Sequence, residues 1–147
     1  NGKGKTMARK TYETEAHRIA EQKVADELDF AWQCKCRKLA YKHIVDFAIC
    51  RGDDIKGWIE VKTRKISSTY LPQYMISMHK MNYAFNLSRE TNLPFFLVVQ
   101  FTDGLYYYKY NGEHHDLRWG GRFKTQRDDQ DLEPCYYIDM KLFTKLR

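Results

Sequence analysis

The stretch 95–101, FFLVVQF, constrains this chain more than any other segment. It is apolar almost throughout rather than at alternate positions. A strand of that kind has no face to give to water and must be covered on both sides. The rest of the sequence therefore has to supply a sheet around it and layers to bury it.

Those elements are legible in order. Over residues 10–28 the apolar positions Ala16, Ile19, Ala20, Val24, Ala25 and Leu28 recur at helical spacing, with Glu21 beside the stripe. Residues 30–38 are a strand candidate broken by Lys and Cys. The segments 44–51 (IVDFAICR) and 58–64 (WIEVKTR) read as strands, joined by the polar turn 52–57 into an antiparallel hairpin. Pro72 precedes a second predicted helix over 74–89, whose apolar side holds Tyr74, Met75, Met78, Met81, Ala84, Phe85 and Leu87. After 95–101, Asp103-Gly104 turns the chain into a strand at 105–110, and Asn111-Gly112 turns it again. Residues 119–133 read as a charged loop and 136–140 as a last short strand.

This order describes an α/β protein with a mixed central sheet flanked by helices and extra C-terminal strands. No internal repeat or linker interrupts it, so the expectation is a single domain over 1–147. The polar, Gly-rich residues 1–9 are expected to form a flexible leader.

The composition, 43% hydrophobic and 30% charged, belongs to a folded chain rather than a disordered one. The formal charge is +6, and nearly all of the excess lies in the first half. Such a field favours polyanionic partners, nucleic acid first among them, although a solvated basic surface accounts for it equally well. No apolar stretch approaches the roughly 18 residues that span a bilayer, and no signal-peptide core is visible. The expected location is therefore the cytoplasm (that of the host cell if the gene is a phage's), without a membrane partner. Cys34, Cys36, Cys50 and Cys135 form no CxxC pair. A zinc site joining Cys34 and Cys36 to His114 and His115 fits no standard spacing, and buried free thiols are the expectation. His114 and His115 are expected at the surface of a hairpin.

The chemistry concentrates on the two central strands. An acidic residue stands two positions before a lysine at Glu21-Lys23, Asp54-Lys56, Glu60-Lys62 and Asp139-Lys141. Only Glu60 lies on a strong strand that follows another strand-borne acid. Alternation puts Glu60 and Lys62 on one face and Ile59 and Val61 on the other. On the preceding strand Val45, Phe47 and Ile49 share a face, leaving Asp46 opposite. If both apolar faces pack on one layer, Asp46, Glu60 and Lys62 converge. Two neighbouring carboxylates repel unless a cation bridges them, and hard divalent ions prefer such oxygen ligands. A structural Glu–Lys pair serving solubility is the competing reading.

The set Glu21, Val45-Asp46-Phe47 and Trp58-Ile59-Glu60-Val61-Lys62 resembles the PD-(D/E)XK nuclease superfamily over about residues 10–110. The resemblance implies a restriction-endonuclease-like αβββαβ core and a metal-dependent nuclease that hydrolyses DNA phosphodiester bonds. It assigns Asp46, Glu60, Glu21 and the Val61 carbonyl to one or two ions, Mg²⁺ or Mn²⁺, and makes Lys62 catalytic. Val45 stands where the family's motif has Pro. Glu13, Glu15 and Glu27 rival Glu21 as the helix acid, and His17 lies one turn before it. The resemblance also suggests polar groups of the second helix beside the site, with Gln73, Ser77 and Lys80 as candidates; an ordinary solvated face is the alternative. The tail segments 119–122 (WGGR) and 131–134 (DLEP) resemble small nucleases from phage genomes.

Three basic clusters are candidate phosphate contacts: Lys35, Arg37, Lys38 and Lys42; Lys62, Arg64 and Lys65; and Arg118, Arg122, Lys124 and Arg127. Tyr106, Tyr107, Tyr108 and Tyr110 are expected to be mostly structural. A catalytically silent nucleic-acid-binding module of the same fold is the second reading, and a structural or partner-binding protein the third. A homodimer is compatible with duplex cutting by a one-site nuclease.

Overall fold

The computed structural model describes residues 15–40, 45–121 and 132–147. Helix α1 (Glu15–Trp32) leads into strand β1 (Lys35–Lys38), then β2 (Phe47–Arg51) and the long β3 (Asp54–Thr63). Strand β4 (Gln73–Ser77) runs directly into α2 (Met78–Thr91). Strands β5 (Phe95–Phe101), β6 (Gly104–Lys109), β7 (Asp116–Gly121) and β8 (Leu132–Asp139) follow. A single 3-10 turn (Met140–Leu142) and β9 (Phe143–Lys145) complete the described chain.

Six strands form the central sheet in the order β1-β2-β3-β5-β6-β9. The β3–β5 pair is parallel and its neighbours antiparallel, which makes the sheet mixed. A parallel pair cannot be closed by a hairpin, so the chain crosses over between them through β4 and α2. Strand β5 lies inside the sheet, and both its faces are covered as its nearly continuous apolar sequence requires. Phe95, Leu97, Val99 and Phe101 join a core with Met81, Ala84 and Phe85 of α2 and with Tyr74 and Ile76 of β4. Val98 joins the opposite core, where Val24, Ala25 and Leu28 of α1 meet Phe47, Ile49, Ile59 and Val61.

The architecture is the α/β arrangement with extra C-terminal strands, but four segments differ from their sequence reading. The first helix continues to Trp32, so the strand placed at 30–38 shortens to Lys35–Lys38. The turn between β2 and β3 is only Gly52-Asp53, with Gly52 at φ +61° and Arg51 opposite Asp54; an irregularity at Ile49/Cys50 absorbs the offset. The third difference is the largest. Residues 73–77, assigned to the start of the second helix, form β4, and the helix begins only at Met78. Burial along them alternates with period two, Tyr74 and Ile76 inward and Gln73, Met75 and Ser77 outward, and β8 supplies a five-residue antiparallel partner from Gln73↔Asp139 to Ser77↔Cys135. Finally, the region read as a charged loop supplies β7, and the last strand extends back to Leu132. With β4 they make a second sheet in the order β4-β8-β7. Its partners are distant in sequence, so no local pattern announced it.

Candidate active site

The site grows from the ends of β1, β2 and β3. Asp46 immediately precedes β2, where its amide donates to the Ile59 carbonyl and its carbonyl accepts from Leu39. These bonds fix its backbone between β1 and β3. Its side chain is held as well: Oδ2 accepts a 2.7 Å hydrogen bond from the Val61 amide. Glu60 and Lys62 alternate onto the face of β3 that looks toward α2 and β4, while Ile59 and Val61 enter the α1 core. The Lys62 ammonium lies 3.3 Å from Glu60 Oε2. Val45 departs from the expected pattern: it packs in the α2-side core rather than with Phe47 and Ile49. It lies before β2 begins, so strand alternation does not govern it.

Burial dominates the electrostatics. Glu60 is 5% exposed, and its carboxyl is pushed up to about 7, first by desolvation and then by the Asp46 charge, against the pull of Lys62. Desolvation also raises Asp46; the Val61 amide opposes the rise, Glu21 adds to it, and Lys38 and Lys62 offset it. Asp46 therefore sits between two other acids, raised by the Glu21 charge from α1 and itself raising Glu60 on β3. Lys80, in the first turn of α2, reaches Glu60 electrostatically.

Two buried side-chain polar atoms among the described residues have no hydrogen-bond partner, Glu60 Oε1 and the Tyr74 hydroxyl. Tyr74 comes from β4, and the Arg64 guanidinium lies over its ring at 5.3 Å from the centroid. An orphaned carboxylate oxygen inside a cluster of acids is the feature that a hard divalent cation satisfies. The chemistry of these donors suits a Mg²⁺- or Mn²⁺-type ion, which takes carboxylate oxygens, although the ligand atoms of Glu21, Asp46 and Glu60 do not all lie within 4.8 Å of one another.

The other sequence candidates fall in several places. Lys38, assigned to a basic cluster, instead bridges Glu21 (2.8 Å) and Asp46 (3.5 Å). Nothing in its local sequence signals this, because it depends on the β1–β2 register and on how α1 docks. His17 is exposed on the first turn of α1. Gln73 and Ser77 lie on a strand, so the shared helical face proposed for Ser77 and Lys80 does not exist. Alternation sets Gln73, Met75 and Ser77 opposite the buried Tyr74 and Ile76, and Gln73 donates to Asp116 of β7 at 3.0 Å. Tyr74 takes the inward place instead; the apolar Met75 at an outward position hides the alternation in the sequence. Lys35, Arg37 and Lys65 are exposed and Arg64 is half-buried, whereas Arg118 stacks on the Tyr137 ring at 3.9 Å. Lys42, Arg122, Lys124 and Arg127 lie outside the described residues, as do Glu13 and the leader.

The cysteines are free thiols: Cys36, Cys50 and Cys135 are buried and Cys34 partly so. Cys34 and Cys36 gather with Asp29, at the end of α1, rather than with the histidines. His115 is not a surface residue. Its side chain is 4% exposed, and Nε2 lies 2.7 Å from the hydroxyl of the buried Tyr108.

The fold and the acid–lysine strand define the PD-(D/E)XK class of nuclease. A family model described as "Phage putative PDDEXK endonuclease" matches residues 7–146, and the chain belongs to that family. No curated protein sequence matches it. Among solved structures it is similar to Hjc of Archaeoglobus fulgidus, described as a Holliday junction resolvase from an archaeal hyperthermophile. That likeness has a TM-score of 0.54 at 13% identity and covers 86% of this chain and 93% of the other. It is a likeness of fold.

Proposed function

We propose that this protein is a divalent-metal-dependent deoxyribonuclease in which Asp46, Glu60 and Glu21 hold the ion and Lys62 acts on the reacting phosphate. The observation that carries the reading is the orphaned Glu60 Oε1, buried beside Asp46 in a chain of the PDDEXK endonuclease family. When bound, the ion polarises the scissile phosphate and makes its water a competent nucleophile at neutral pH.

The chain's own groups do the rest. Glu60 must ionise to bind, and Lys62 helps to hold it in that form. The Lys62 ammonium also offsets negative charge developing on the phosphate, and Lys80 adds positive field from α2. Arg64 and Lys65, further along the same chain, extend the basic character toward the DNA backbone. We assign these groups to one domain comprising the whole chain, acting inside the cell that holds its DNA. DNA is the substrate we infer, and branched duplexes are a natural candidate because the similar solved structure is named for acting on Holliday junctions.

The test is cleavage of supercoiled plasmid, single strands and a four-way junction by wild type and Glu60→Gln, with Mg²⁺ and with chelator. Cleavage that needs Mg²⁺ and is lost in Glu60→Gln supports the proposal. Cleavage indifferent to either change removes the metal site. DNA binding without any cleavage points to the silent binding module.

A further inference from the structure

Lys38 closes β1, and its ammonium nitrogen lies 2.8 Å from Glu21 Oε2 and 3.5 Å from Asp46 Oδ1. The first oxygen belongs to α1 and the second to the residue before β2, so one cation ties the helix acid to the strand acid. Strand pairing brings Lys38 beside Asp46 but does not require the contact with Glu21. The stem passes the ring of Phe47, with the nitrogen 5.1 Å from its centroid, and the side chain remains 45% exposed. It is a flexible, half-solvated ammonium directed at two acids.

The oxygens it uses are the telling detail. Asp46 Oδ2 is engaged by the Val61 amide, which leaves Oδ1 as the oxygen toward which Lys38 turns. An ion held by Asp46 and Glu21 needs lone pairs on those same two carboxylates. An ammonium and a divalent cation in contact with one pair of acids repel each other strongly at this range. Lys62 is not a comparable competitor, because it pairs with Glu60 Oε2 and leaves Oε1 open.

We propose that Lys38 is the resident counter-ion of the metal-free site, offsetting part of the charge of Glu21 and Asp46 until a divalent cation displaces it. The inference rests on the reading of these acids as metal ligands. It gives the lysine two successive roles without any backbone movement. Before the ion binds, it keeps two facing acids from repelling; afterwards, its charge is still tethered at the mouth of the site, available to a phosphate.

The experiment titrates Mn²⁺ into the full chain without DNA, by calorimetry and by the electron paramagnetic resonance of free Mn²⁺. Wild type is compared with Lys38→Gln, Lys38→Arg and Lys35→Gln. Lys35 is the control: it is on the same strand, 65% exposed, and 3.8 Å from Asp29 rather than near the site acids. Lys38→Gln should bind Mn²⁺ about tenfold more tightly, from the loss of one competing charge at contact distance. Lys35→Gln should stay within about twofold of wild type, and Lys38→Arg, which keeps the charge, should bind no more tightly than wild type. Thermal melts in chelator supply a second readout: Lys38→Gln should melt lower than wild type and recover more on adding Mn²⁺. Unchanged or weaker affinity in Lys38→Gln overturns the exchange while leaving the metal site intact, and so does tighter binding by Lys38→Arg. Failure of every variant and of wild type to bind Mn²⁺ overturns the metal site and the exchange with it.

Discussion

Asp46 and Val61 are joined by a 2.7 Å hydrogen bond from the Val61 amide to Oδ2, which ties the first acid of the site to the strand residue between Glu60 and Lys62. One bond thus sets the separation of the two carboxylates and the rotamer of Asp46. It also divides the labour of the aspartate, with Oδ2 serving structure and Oδ1 facing the cations.

That division predicts different behaviour for two substitutions. Asp46→Asn keeps a side-chain oxygen for the Val61 amide, so its urea midpoint should stay near that of wild type while Mn²⁺ affinity falls. Asp46→Ala leaves a buried amide without a partner and should cost about 1–3 kcal/mol in the same unfolding experiment. Equal stability of the two variants removes the bond from its structural role.

The Glu60 carboxyl, pushed up to about 7 by burial and the Asp46 charge, makes a pH prediction with a definite sign. Its folded value lies above the unfolded one, so the folded state binds the extra proton. The contribution to metal-free stability is complete below the unfolded value, near 4.5, and is lost as pH rises through about 7. Metal binding runs the other way, since it needs the carboxylate. Thermal melts in chelator should fall between about pH 5 and 8, and Mn²⁺ titrations near pH 6 should release protons. Glu60→Gln should flatten the first profile; a slope unchanged by that substitution removes Glu60 as its source.

Lys62 touches Glu60 but is not among the proposed ligands. Lys62→Ala should therefore lower the rate of DNA cleavage by about 10²–10³-fold, the scale of losing one preorganised charge partner. Mn²⁺ affinity should change far less. Single-turnover rates at saturating Mn²⁺ separate the two effects, and an unaltered rate takes Lys62 out of the chemistry.

Two buried tyrosines should respond in contrast. The Tyr74 hydroxyl has no partner, so Tyr74→Phe should leave folding stability unchanged or raise it by up to about 1 kcal/mol. The Tyr108 hydroxyl bonds both Glu113 and His115, so Tyr108→Phe takes a partner from the enclosed His115 ring and should cost about 1–3 kcal/mol. Denaturant melts of the two variants decide it; equal losses contradict the assignment.

Local pattern alone determined a good deal. The nearly continuous apolar run of β5 required cover on both faces, and α1 and α2 with the second sheet provide it. The alternation of Ile59, Glu60, Val61 and Lys62 put an acid and a base on one face of β3, because side-chain direction in a strand follows from its own backbone. Where the sequence misled, partners remote along the chain had decided. Gln73–Ser77 is a strand because β8, some sixty residues later, offers it a ladder, and that choice turns Tyr74 inward and Gln73 away from the site. Lys38 faces Asp46 because β1 pairs with β2, and Glu21 because α1 docks across the end of β1. Periodicity is a property of one segment and can be read from it. Which atoms are left without a partner, and which charges are forced together, depends on packing between segments, and only the tertiary structure settles that.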